Sequence, residues 1–188
     1  MKQTISIKQT LLAAALAPAV MLGSFGVSAF AAGSDSSEPP KPTQTTKDCK
    51  NGKIWDKKHK KCMTVKSEMF DDDTLYTAAR ELAYDGQYDN AINILELAAN
   101  RDDPRILNYL GFANRKAGRM EVGMGYYKEA LKKNPDYILA RSYMGQAYLQ
   151  QKNWSAARQQ LTEIDARGGK DTWAYASLSN SLLNSRTY

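Results

Sequence analysis

The stretch LNYLGFANRKAGRMEVGMGYYKEALKKNP, Leu107–Pro135, carries the pattern that decides the fold. Leu107, Leu110 and Gly111 are followed by Gly118, Gly123, Tyr127, Ala130 and Pro135, which reads as two helices joined by a tight turn. Gly111 is small where the first helix must approach the second, Gly118 permits the turn, and Pro135 ends the second helix because it has no amide donor. Gly123 and Ala130 keep the inner face of the second helix thin.

The same template falls upstream on Leu75, Ala78, Ala79, Leu82, Gly86, Tyr88, Ala91, Leu95 and Ala98. Downstream it falls on Met144, Gly145, Tyr148, Trp154, Ala157, Leu161 and Ile164. Gly86 and Gly118 are 32 residues apart and Gly118 and Lys152 are 34 apart, so the first copy is short by two. Three copies in near-constant phase, over 72–103, 104–137 and 138–171, predict stacked helical hairpins.

This spacing resembles the tetratricopeptide repeat (TPR). The resemblance implies an all-α solenoid of three repeats, closed by a capping helix at 171–185, and a protein-binding role. The copies depart from the family in places. Position four, often tryptophan, is Leu75, Leu107 and Arg141, and the closing proline is present only at Pro135. After Gly168-Gly169, the residues Ala174, Tyr175, Leu178 and Leu182 recur at helical spacing opposite Ser177, Asn180, Ser181 and Asn184. An amphipathic last helix is expected because a solenoid must cover the apolar face of its final repeat.

The net charge of +6 is unevenly distributed. Residues 1–40 cancel, 41–66 hold nine lysines against Asp48 and Asp56, and 67–188 hold fifteen basic and sixteen acidic side chains. The basicity belongs to one short segment. Ahead of it, Lys2 and Lys8 precede an apolar run from Leu11 to Phe30 and then Ala29-Phe30-Ala31, the pattern of a secretory signal peptide over 1–31 cleaved near Ala31/Ala32. The expected location is therefore periplasmic or secreted, with membrane attachment only if the leader is uncleaved. Residues 32–47, rich in Ser, Pro, Thr and Lys, are expected to be an unstructured linker.

Residues 48–66 form the basic segment proper. In an exported chain its two cysteines, Cys49 and Cys62, predict one disulfide closing a loop of about 14 residues, worth roughly 3 kcal/mol in the chain-entropy picture. Asn51-Gly52 and the lysine tract place turns around a short Lys53-Ile54-Trp55 strand. Since no repeat core position lies inside the loop, breaking the bond is expected to leave the 67–188 domain folded. His59 beside two cysteines could be read as a zinc set, but no fourth ligand is evident and oxidation consumes the thiols. The Cys-x2-Gly-x2-aromatic-x6-Cys spacing also resembles the hairpin of peritrophin-like chitin-binding domains, over this loop alone and without that family's other cysteines. Lys53, Trp55, Lys57, Lys58, Lys60 and Lys61 are the candidates for contact with an anionic cell-envelope polymer. Export sets nucleic acid aside as a partner.

Residues 67–188 contain neither cysteine nor histidine. No phosphate loop, nucleophile elbow or paired acid and base is recognisable, so neither catalysis nor a cofactor is expected. Asp71, Asp72 and Asp73 read as a helix start and not a metal site, because consecutive helical residues diverge and no calcium-loop glycine follows.

What the TPR resemblance implies is a concave groove lined by the first helix of each hairpin. Its positions fall here on Tyr76, Arg80, Ala83 and Tyr84; on Asn108, Tyr109, Phe112, Arg115 and Lys116; and on Ser142, Tyr143, Gln146 and Gln150. The lysine and asparagine pattern with which some relatives grip carboxylate tails is absent. A tyrosine-rich groove with a cationic side suits an amphipathic or acidic peptide. Two readings of these tyrosines stand, contact with a partner or packing between hairpins.

Overall fold

The computed structural model describes residues 41–66 and 70–184. The predicted leader at 1–31 and the start of the linker lie outside the described residues. Three helical hairpins follow one another: α2 (Asp72–Tyr84) with α3 (Tyr88–Leu95), α4 (Pro104–Lys116) with α5 (Met120–Lys133), and α6 (Ile138–Gln150) with α7 (Trp154–Ala166). The closing helix is α8 (Trp173–Asn184), packed on α6 and α7. Ahead of them stand α1 (Gln44–Asp48) and an antiparallel pair, β1 (Ile54–Asp56) and β2 (Lys61–Met63), with Trp55 opposite Cys62. The fold is a helical solenoid preceded by a disulfide-closed hairpin, as the repeat and the cysteines imply.

Local signals set the helix ends. Asp71 accepts a hydrogen bond from the Thr74 amide, Asp103 caps α4 with Pro104 at its first position, and Asn153 accepts from the Ala156 amide. Each first helix then ends in the same reversal: the amides of Gln87, Arg119 and Asn153 donate back to the carbonyls of Leu82, Asn114 and Tyr148. The residue before each of these amides is left-handed, and it is Gly86, Gly118 and Lys152. The repeat thus holds its turn geometry even where glycine is missing.

Packing follows from residue size. A Cβ built on Gly111 would lie 2.7 Å from the Tyr127 ring, and one on Gly123 2.8 Å from the Gly111 carbonyl, so this pair sets how close α4 and α5 come. The closed space is filled by Leu75, Leu82, Leu95, Ile106, Leu139, Ile164 and Leu178, all essentially without exposure. At the family's tryptophan position, Arg141 turns its guanidinium onto the Pro135 carbonyl at 2.6 Å and ties α6 to the end of the preceding repeat. The shortfall of the first copy appears as a short second helix, eight residues in α3 against fourteen in α5.

Two expectations need correction at the N-terminal end. The linker is not extended through residue 47, because Gln44–Asp48 is helical, with Thr43 as its cap. The hairpin is not separate from the repeats either. Ile54, inside the Cys49–Cys62 loop, is 1% exposed and joins the core. Glu81 on α2 accepts from the amides and hydroxyls of both Thr43 and Thr46, so α1 and the hairpin cap the open end of the first repeat. On α8, Ser181 is buried and Ser177 receives Gln146, which leaves Asn180 and Asn184 as its outward polar side.

Candidate functional site

The first helices α2, α4 and α6 bring together a continuous aromatic cluster. Tyr76 meets Tyr109 edge-on at 5.5 Å, Tyr84 stacks on Phe112 at 5.2 Å, and Tyr143 touches Tyr109 at 6.1 Å and Phe112 at 4.9 Å. Tyr127 reaches the same cluster from α5. Tyr76 and Tyr84 are eight apart on α2, Tyr109 and Phe112 three apart on α4, and Tyr143 lies one repeat beyond Tyr109, so the first helices turn these rings toward one another.

Polar tips link the rows. Arg80 donates through Nε to the Tyr109 hydroxyl at 2.9 Å, and the hydroxyls of Tyr84 and Tyr143 are paired across two repeats. The Arg105 guanidinium lies over the Tyr76 ring at 5.0 Å, a contact that the repeat template does not mark.

The predicted groove residues divide into two groups. Tyr76, Asn108, Tyr109, Phe112, Arg115, Ser142, Tyr143 and Gln146 are buried, whereas Arg80, Tyr84 and Lys116 are half-buried and Gln150 is exposed. Several of the buried group belong to contacts between repeats. Asn108 points its amide at the Tyr137 hydroxyl, Ser142 donates to the Ala174 carbonyl at 2.7 Å, and Gln146 donates to Ser177. Packing between hairpins therefore accounts for Tyr109 and Tyr143, while Arg80, Tyr84, Lys116 and Gln150 keep accessible surface.

Arg115 turns inward. It is 3% exposed, its guanidinium lies over Phe112, and Nε donates to the Tyr127 hydroxyl at 3.3 Å. Burial pushes the Tyr127 hydroxyl up, and the Arg115 charge opposes that shift. Lys116 remains half-buried, near the Tyr88 ring. Burial and the neighbouring Arg115 charge lower its pKa, so a carboxylate beside it would relieve an unfavourable environment.

Beside Tyr84 opens a small cleft lined by Lys41, Pro42, Thr46, Glu81 and Asp85. Sequence reading missed it because half of its wall comes from the segment assigned to the linker. The residue that could have signalled it is Glu81, an acid at a position of α2 that faces inward.

In the hairpin, Cys49 and Cys62 are joined, so neither sulfur is a metal ligand, and His59 Nδ1 bonds the Asp56 carboxylate. That bond and the amides of His59 and Lys58 hold the Asp56 carboxyl below the usual carboxylate range. Lys53, Lys57, Lys58, Lys60 and Lys61 are exposed and Trp55 is half-buried.

No curated protein matches the chain. Residues 115–182, from the end of α4 through most of α8, match the family model described as tetratricopeptide repeat. That segment holds the third hairpin, the closing helix and the second helix of the second hairpin, and it is similar to a family whose members in general hold protein or peptide partners.

Proposed function

We propose that this chain is an exported, periplasmic interaction scaffold that holds an acidic or amphipathic peptide segment on the face formed by α2, α4 and α6. The observation that carries this reading is that Arg80, Tyr84, Lys116 and Gln150, a rim of partly or fully exposed side chains, come from the same first helices whose aromatic rings pack together. Packed rings cost little conformational entropy on binding, and the cations on the same helices favour carboxylates. The leader-like segment at 1–31 supports export, and the mature chain is then expected to begin at Ala32.

The test is crosslinking in the native envelope with mass spectrometry, repeated with Arg80→Glu/Lys116→Glu. The charge-reversed protein is expected to lose the crosslinked partner, and since Arg80 also donates to the Tyr109 hydroxyl, Lys116→Glu alone is expected to weaken capture while melting near the wild-type temperature. A variant that melts normally and keeps its partner would move the binding site off this face. N-terminal analysis of the same material checks the cleavage, and an intact Met1 would overturn it.

A further inference from the structure

Several cations of the solenoid are paired, and those at the hairpin tip are not. Arg105, Arg119, Lys133 and Arg167 each face an aspartate within ion-pair distance. In residues 41–66, by contrast, all nine lysines are exposed, and Lys53, Lys57, Lys58, Lys60 and Lys61 have no ion pair among the described residues. Asp56, within the same loop, is occupied by its own turn, accepting from the Lys58 and His59 amides and bonded to the His59 ring.

This charge is also fixed in space. The Cys49–Cys62 bond closes the base of the loop, Ile54 anchors one side of the hairpin in the core, and the Trp55 amide is bonded to Thr45 of α1. An ordinary solvated lysine run has no such framework. Like charges held together on one turn repel one another, and no ion pair to these lysines among the described residues offsets that repulsion. A single polyanionic strand is usually gripped by a trough and an open aromatic platform. Here Trp55 is half-buried opposite Cys62, and the lysines crowd the turn at 57–61. A projecting tip of cations fits a flat array of phosphates instead, since it needs only to come within a Debye length of it.

We propose that the hairpin tip is an electrostatic docking surface for an anionic phospholipid bilayer, with Lys57, Lys58, Lys60 and Lys61 meeting headgroup phosphates and Lys53 at their flank. No residue of the tip belongs to the α2, α4 and α6 rim, so this surface and the peptide-holding face stand or fall separately.

The experiment is vesicle co-sedimentation of the full chain and of Lys57→Glu/Lys58→Glu/Lys60→Glu/Lys61→Glu. The vesicles are pure phosphatidylcholine or phosphatidylcholine mixed with phosphatidylglycerol. Both proteins carry the same apolar leader, so the difference between them reads the hairpin. The wild type is expected to favour the anionic vesicles and to lose that preference between about 0.1 and 1 M salt, where the Debye length falls from roughly 10 to 3 Å. The variant is expected to bind anionic vesicles about a thousandfold more weakly while still melting cooperatively. The matching lysine-to-arginine variant is expected to bind as the wild type does. Equal binding by wild type and charge-reversed protein would overturn the proposal. So would a salt-insensitive preference, or a hairpin that binds soluble polyphosphate while ignoring anionic vesicles.

Discussion

Lys152 is a residue that gains from replacement. It holds φ at 60° in a turn whose counterparts are Gly86 and Gly118. A side chain there costs about 1–2 kcal/mol, and the greater freedom of an unfolded glycine returns roughly 0.4–1 kcal/mol of that. Lys152→Gly is therefore expected to stabilise the chain by up to about 1 kcal/mol and to raise Tm by about 2–4 °C in thermal denaturation. Glu81 acts in the other direction. Burial would raise its pKa, but the hydrogen bonds from Thr43 and Thr46 together outweigh burial and leave it below the ordinary value of 4.5. A carboxyl whose pKa is lower in the folded state stabilises the fold above its unfolded value, and that contribution is lost as pH falls through the folded one. Acid titration of Tm below about pH 4.5 should show a component that Glu81→Gln removes. Glycine turns and aspartate caps were readable from sequence because they act within a few residues. The inward turn of Arg115 was not, because it depends on how near the Phe112 and Tyr127 rings lie across two helices.

Among the elements, the hairpin is where local reading and packing part. Its strands and cross-link follow from Asn51-Gly52 and two cysteines, but its docking depends on Ile54 finding a place among residues of the repeats. The alternation of a three-residue strand is too short to reveal a buried face. Reduction, or Cys49→Ser with Cys62→Ser, is thus expected to destabilise the capped first repeat, removing up to roughly 3 kcal/mol of constraint on the unfolded loop. Hydrogen exchange is the suitable measurement. Amides of α2 should lose protection while those of α6 keep it, and equal protection in both would mean that the cap bears no part of the first repeat's stability. The groove positions show the same division. Place within the repeat sets the angle around a first helix, but at that angle Ser142 and Gln146 meet α8 and not solvent.

At the scale of the molecule, neighbouring repeats are tied by ion pairs about one repeat apart: Asp73 with Arg105, Asp89 with Arg119, Asp102 with Lys133, and Asp136 with Arg167. The acid of each pair is largely exposed, so each contributes at most about 1 kcal/mol, and the stack rests on its buried interfaces. Removing α8 tests this, because it uncovers the seat of Leu178 at Gly145 and leaves Ser142 and Gln146 without their partners. A loss of about 3 kcal/mol or more is expected by denaturant titration, with partial unfolding confined to the third hairpin. The two finished ends are also unlike in kind, one cross-linked and bonded through Glu81, the other a helix held by packing and a few side-chain hydrogen bonds. Under a mechanical pull between hairpin and α8, the α8 side is expected to release its chain turn by turn, while the ring closed by Cys49 and Cys62 yields no length. The two ends are therefore expected to respond differently to load.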